Sequence, residues 1–211
     1  MCTTIRSECC ELARVSSRAD LGAALAGIVL RYSPSDIQQM KQNFSTTVKD
    51  MDPAYRDLLT AKITEYLLGT FQRVRLMQQQ GAFSRFSDSL PESAATYWAM
   101  AGNACCKAAD ADGAHLRFLK YLLAGFCMFV LQEPAHPVGT PFPGGDSVEL
   151  VDGIYYCPVR EKSGDVDAAI CPFCPAHQTP EIGYLKPPTN QSKNRRQEFI
   201  RDCYSHHHFN G

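Results

Sequence analysis

Several side chains that bind soft metal ions lie close together in the C-terminal part of the chain. Cys171 and Cys174 are separated by two residues, a spacing that lets two thiolates reach one ion, and Cys157 precedes them. Zinc prefers a tetrahedron of nitrogen and sulfur ligands, which these cysteines and one further ligand would complete. We therefore expect a structural zinc site, since a catalytic site would need an open position.

The fourth ligand is open between Cys203 and His177, with the terminal His206, His207 and His208 as further alternatives. We favour Cys203, because its bond to the metal would tie a C-terminal helix to the rest of this region. An iron–sulfur cluster on the same four cysteines is the alternative cofactor, although the closely spaced cysteine run of ferredoxins is absent. Free thiols in a folded loop are the alternative to any metal.

Two features depart from the strongest zinc pattern. Arg160 stands where a second Cys-x-x-Cys turn, beginning at Cys157, would carry its second cysteine. Pro175 follows Cys174 and has no N–H to donate to a ligand sulfur, a supporting role that backbone amides often fill.

Other candidate functions rest on isolated residues. Glu133, His136 and Arg160 are candidate ligand-binding residues, and His136 could equally fix its loop by a local hydrogen bond. A basic stretch from Lys186 to Arg201 could contact nucleic-acid phosphates, but the net charge of −1 favours a solvated helix face. No nucleotide-binding or hydrolase motif is present, so enzymatic activity stays open.

Composition indicates a folded protein in a reducing compartment. Of 211 residues, 45% are hydrophobic and 20% are charged, enough for a substantial core. The N-terminus has no apolar signal core, and Arg117 and Lys120 interrupt the longest apolar run, so we expect a cytoplasmic protein without a membrane span. Ten cysteines then indicate metal or redox chemistry more than disulfides. We interpret the adjacent pairs Cys9-Cys10 and Cys105-Cys106, together with Cys2 and Cys127, as ordinary thiols.

The first 132 residues predict a bundle of about five helices after a short helical lead. Ser33 begins a helix with a capping box to Asp36. Asp52 begins a long helix that runs to Gly81. Two further helices are expected from the capping box Ser89–Glu92 and from a cap at Asp112.

Residues 133–211 form the second predicted unit, in which proline and glycine replace helical periodicity. A shaped strap runs from Glu133 to Gly145, followed by a hairpin that turns at Asp152-Gly153 and delivers Cys157 at the end of its second strand. A last helix is expected over 192–204. The fold class is thus mainly α: a helical bundle with a proline-rich strap, a small hairpin and a cysteine-rich metal knuckle.

Three strings in this region resemble the motifs of a known family. They are EPAHPVGTPFPGG from Glu133, YYCPVREK from Tyr155 and CPFCPAH from Cys171. They resemble an archaeal family of unknown function that is found chiefly in methanogens. The resemblance implies an intracellular archaeal protein and supplies no catalytic residues.

Overall fold

A computed structural model describes residues 1–107, 113–142, 145–161 and 169–180. Helices dominate this part of the chain, which confirms the mainly α fold class. The α-helices are α1 (Cys2–Leu12), α2 (Arg18–Val29), α3 (Pro34–Thr47), α4 (Pro53–Gln79), α5 (Ser93–Lys107) and α6 (Ala114–Gly125). The strands are β1 (Glu149–Val151), β2 (Ile154–Cys157) and β3 (His177–Gln178).

Two predicted helix starts are confirmed in detail. The Ser33 side chain accepts the Asp36 N–H while the Asp36 carboxylate accepts the Ser33 N–H, which completes the capping box of α3. Asp52 caps α4 through the Tyr55 N–H, and α4 ends just before Gly81, whose positive φ of 61° suits glycine. The N-terminal lead is the helix α1, so the bundle has one helix more than the five expected.

The predicted capping box at Ser89 is wrong, because α5 begins only at Ser93. Ser89 instead forms a β-bridge with Ser17, and the Leu90 N–H donates to the Ser16 carbonyl at 2.8 Å. The chain before α5 is therefore held as an extended pair with the connection between α1 and α2. The predicted cap at Asp112 and the predicted helix over 192–204 lie outside the described residues.

Helix α6 is the centre of the bundle. Its continuation, Phe126–Leu131, is π-helical, and Ala114–Leu131 is the one stretch of the described chain that is long and apolar enough to cross a membrane. Because 83% of that stretch is buried inside the protein, its apolar character is that of a core helix.

The π-helical stretch ends by local chemistry and is held from α2. Gln132 takes a left-handed conformation, and Pro134 follows soon after, a combination that stops a helix. The Arg18 guanidinium donates to the Val130 carbonyl at 2.7 and 3.2 Å and pairs with Asp88. A buried arginine thus satisfies a carbonyl that the altered helix leaves without a helical partner.

The strap and the hairpin lie against the bundle through specific contacts. The Tyr55 hydroxyl of α4 donates to the Pro141 carbonyl at 3.2 Å, and the strap pairs with residues just before β1 through Gly139 and Val148. Asp152 and Gly153 both have positive φ, so the predicted Asp-Gly hairpin between β1 and β2 is confirmed. Strand β3 adds to β2 in parallel.

The hairpin region has a small core of its own beside the large bundle core. Val148, Cys157, Val159 and Ala176 form this small core. Cys174 packs against both cores, so this cysteine lies where the hairpin region meets the bundle.

Candidate metal centre

Each of the three clustered cysteines is followed by proline and lies in a tight turn. The first cysteine turn spans residues 157–160 and begins where β2 ends, and the second spans residues 171–176 and begins with the short 3₁₀ helix Cys171–Phe173. Cys157 and Cys171 are 5% and 4% exposed, and Cys174 is partly buried. The fold therefore shields the side chains of Cys157 and Cys171 almost completely from water and that of Cys174 in part.

Backbone amides point at two of these sulfurs. The Val159 N–H donates to the Cys157 thiol, and the N–H groups of Ala176 and Ala135 donate to the Cys174 thiol. The N–H of Ala176, the next residue, thus fills the supporting role that Pro175 cannot fill. Amide donors of this kind stabilise negative charge on sulfur and are typical around thiolate metal ligands.

The three thiols also lie close enough to influence one another's charge. Burial raises the pKa of the Cys157 thiol to about 12, and the neighbouring Cys171 and Cys174 add to that effect, opposed by the Val159 amide and the Arg160 charge. Burial likewise raises the pKa of Cys174. Without a cation the thiols of Cys157 and Cys174 are protonated at neutral pH, and a bound cation would have to displace their protons.

Side chains hold the two cysteine turns together reciprocally. Arg160 of the first turn donates to the carbonyls of Cys174 and Ala176 at 3.2 and 3.0 Å, and to that of Pro172 at 3.2 Å. Gln178, just after the second turn, donates to the Pro158 carbonyl at 3.0 Å and accepts the Glu161 N–H at 2.9 Å. Arg160 thus holds the second cysteine turn by hydrogen bonds to three of its carbonyls, and we call this arrangement the Arg160 clamp. It lies at the position where a second Cys-x-x-Cys turn would carry its second cysteine.

Of the candidates for a fourth ligand, only His177 belongs to the part of the chain that the structure describes. His177 pairs with Tyr156 in the parallel ladder, so strand alternation places its exposed side chain on the face opposite Cys157. Cys203 lies outside the described residues. Within the residues that are described, no group of three or more histidine, cysteine, aspartate or glutamate side chains is arranged to hold a metal ion.

His177 lines a cleft between the bundle and the hairpin region. The cleft has a volume of about 450 Å³, within the range of small-molecule sites. Its bundle wall includes Arg18 and Gln132, and its other wall includes Tyr155 and Phe173. The second wall belongs to the hairpin and the second cysteine turn, so whatever fixes the turns also shapes the cleft.

The other candidate ligand-binding residues have different surroundings. Glu133 forms a two-pronged ion pair with Arg73 of α4, at 2.6 and 2.9 Å, beside a smaller pocket of about 230 Å³. His136 packs edge-on against Phe142 at 6.0 Å between ring centres. Burial, with the charge of Lys120, lowers the pKa of His136 to about 4, so it is neutral at physiological pH.

Sequence reasoning missed the residues that support the cysteines. Ala135 supplies its amide from the strap, and Gln178 clamps the first turn from β3. The repeated Cys-Pro dipeptide was the available indication, because proline after cysteine favours a tight turn and leaves the following amide free to face the sulfur.

The family model for an uncharacterized protein conserved in archaea, DUF2115, matches residues 17–179. The chain belongs to this family. The resemblance drawn from the three motifs is therefore confirmed.

Relatives with similar sequences come from methanogens. A UPF0305 protein of Methanopyrus kandleri is 41% identical over 73 residues, which are 35% of this chain and 51% of the relative. One from Methanothermobacter thermautotrophicus is 54% identical over 52 residues, 25% of this chain and 34% of the relative. A more distant one from Methanocaldococcus jannaschii is 22% identical over 151 residues, 72% of this chain and 90% of the relative.

The chain thus spans about half of the Methanopyrus relative and about a third of the Methanothermobacter relative. No solved structure is significantly similar to the chain.

Proposed function

We propose that Cys157, Cys171 and Cys174 bind one structural zinc ion, with Cys203 as the fourth ligand. The amides directed at the sulfurs of Cys157 and Cys174 carry this proposal. Such donors stabilise thiolates, and a bound cation would bring Cys157 and Cys174 into the thiolate form at neutral pH. Four sulfur ligands would close the coordination sphere and make the ion structural rather than catalytic.

The zinc ion would complete a small core that is otherwise weak. Among the described residues, four buried side chains make up the core of the hairpin region, too few for independent stability. A metal that joins the two cysteine turns would hold the hairpin, the second turn and the strap, whose Ala135 amide reaches Cys174, in one arrangement. We infer that the region acts as a metal-stabilised binding module.

The binding surface of this module is the cleft between the bundle and the hairpin. Its walls bring together Arg18, Gln132 and His177 with the rings of Tyr155 and Phe173, a mixture of polar and aromatic groups that is common in ligand sites. Loss of zinc would release one wall and thereby lower the affinity for any ligand bound there.

Elemental analysis of protein purified under reducing conditions tests the proposal. We expect one zinc ion per chain, lost in Cys157→Ser, Cys171→Ser and Cys174→Ser and retained in Cys10→Ser, which replaces an exposed cysteine of α1. Cys203→Ser should weaken zinc retention.

Two results would redirect the proposal. A folded wild-type chain that contains no metal would refute it. Iron in place of zinc, with absorption in the visible, would favour the alternative iron–sulfur cluster on the same cysteines.

A further inference from the structure

Half of the cysteines belong to two helices that pack together, and none of these five is a proposed metal ligand. Helix α1 carries three of them and α5 carries two. The helices approach closely, since a Cβ at Gly102 of α5 would lie 3.2 Å from the Cβ of Cys9. The packing brings together cysteines that are about a hundred residues apart in the sequence.

One pair within this cluster is both close and accessible. The Cys106 thiol donates to the Cys2 carbonyl at 3.5 Å, and the two thiols are near enough to share a hydrogen bond. Cys2 is exposed and Cys106 is partly exposed, whereas Cys9 and Cys105 are buried. An oxidant in solution therefore reaches Cys2 and Cys106 and does not reach Cys9 and Cys105.

Arg6, one helical turn after Cys2, contacts the Cys106 thiol. Burial and the neighbouring Cys2 raise the pKa of the Cys106 thiol, and the charge of Arg6 and its hydrogen bond to this thiol offset part of that rise. A fixed positive charge beside a thiol stabilises the thiolate, the form that attacks a disulfide.

We propose that Cys2 and Cys106 are a thiol–disulfide pair that bridges α1 to α5 by exchange with a low-molecular-weight disulfide. The proposal does not depend on the metal centre, which involves other cysteines and other elements. It assigns a chemical role to two thiols whose positions in the sequence indicate none.

The exchange proceeds in two steps with balanced atoms and electrons. The exposed Cys2 thiolate attacks the external disulfide, forms a mixed disulfide and releases one small thiolate. The Cys106 thiolate then attacks the Cys2 sulfur, closes the bridge and releases the second small thiolate. The protein loses two protons and two electrons, and the external disulfide takes them up as two thiols.

The bridge would fasten the N-terminal helix to the bundle. It closes a loop of roughly a hundred residues, for which the loss of unfolded-state entropy is large. Reduction would leave α1 held by non-covalent contacts, chiefly the apolar contacts of Ile5, Cys9 and Leu12 and the ion pair between Glu8 and Arg31.

Treatment of the reduced full chain with oxidised glutathione, followed by alkylation and mass spectrometry, tests the proposal. We expect wild type and the control Cys10→Ser to lose two hydrogen atoms per chain and to yield a peptide linking Cys2 to Cys106. Cys106→Ser should stop at the glutathione adduct on Cys2. Oxidation should raise the melting temperature of wild type and Cys10→Ser by about 5–10 °C and leave that of Cys106→Ser unchanged.

Two outcomes would overturn the proposal. One is equal glutathione adducts on Cys2 and Cys10 with no internal bridge. The other is a bridge that maps to a different pair, such as Cys9 with Cys105. Circular dichroism of each reduced variant before oxidation shows that the replaced thiol, and not lost folding, accounts for the difference.

Discussion

The Arg160 clamp gives the sharpest prediction about how the two cysteine turns are held. Its guanidinium donates to three carbonyls of the second turn, and Arg160→Met removes all three hydrogen bonds while keeping much of the aliphatic stem. A hydrogen bond from a charged group contributes about 1.5–3 kcal/mol in net terms, and less where water can replace it. Because the site is partly exposed, we expect the turn to lose about 2–4 kcal/mol of stability.

Hydrogen exchange measured by mass spectrometry reports that loss where it occurs. The Cys174 N–H, bonded to the Cys171 carbonyl at 3.0 Å, and the Thr179 N–H, bonded to the Cys157 carbonyl at 3.1 Å, should exchange faster in Arg160→Met. Arg160→Lys keeps the charge but not the planar fork, so it should recover only part of the protection.

A matched control separates the clamp from a general effect of removing an arginine. Arg75→Met replaces an exposed arginine on α4, and its effect should stay below about 0.5 kcal/mol. If Arg160→Met exchanged at the wild-type rate over residues 171–179, the clamp would contribute nothing and the reasoning would be refuted.

Three further predictions concern the metal, the packing and the pH response. Removing the proposed zinc ion with a chelator should speed hydrogen exchange in the cysteine turns before it does so in α4, and uniform or absent change would contradict this. Gly125→Ala would put a Cβ 2.6 Å from the Trp98 ring and should cost about 1–3 kcal/mol in urea unfolding, whereas Gly69→Ala, with open space, should be neutral or mildly stabilising. The His136 pKa of about 4 lies below the unfolded value of about 6.5, so the unfolded state takes up the proton first. Its contribution to stability should therefore be present above pH ~6.5 and lost toward pH ~4, and the melting temperature of His136→Phe should fall less over that range.

Elements that are determined by adjacent residues could be predicted from the sequence. Ser33, Pro34 and Asp36 contain the whole chemistry of a capping box, and Asp152-Gly153 contains that of a hairpin turn. Both were predicted at the correct residue because nothing distant competes with them.

Features that depend on distant contacts could not be predicted in this way. The residues from Ser89 match the pattern of a capping box, but their backbone groups form an extended pair with Ser16 and Ser17 instead of starting a helix. The meeting of Cys2 and Cys106 likewise depends on how α1 packs on α5, which helical periodicity does not specify.

The candidate metal site likewise combines features that adjacent residues determine with features that depend on distant contacts. The spacing of Cys171 and Cys174 predicted that they share a turn, and the Asp-Gly hairpin predicted that Cys157 lies at a strand end. The amide of Ala135 at Cys174 and the reciprocal clamps of Arg160 and Gln178 arise only when the strap and both turns come together. Residue type gives no indication of an amide donor, because every residue except proline has one.

Cobalt(II) substitution tests most directly whether the three cysteines bind one ion together. The cobalt-loaded chain should show strong thiolate-to-metal charge-transfer absorption, weakened in each of Cys157→Ser, Cys171→Ser and Cys174→Ser and unchanged in Cys10→Ser. Absence of that absorption from the wild-type chain, or its persistence in all three variants, would contradict a shared metal site at the cysteine turns.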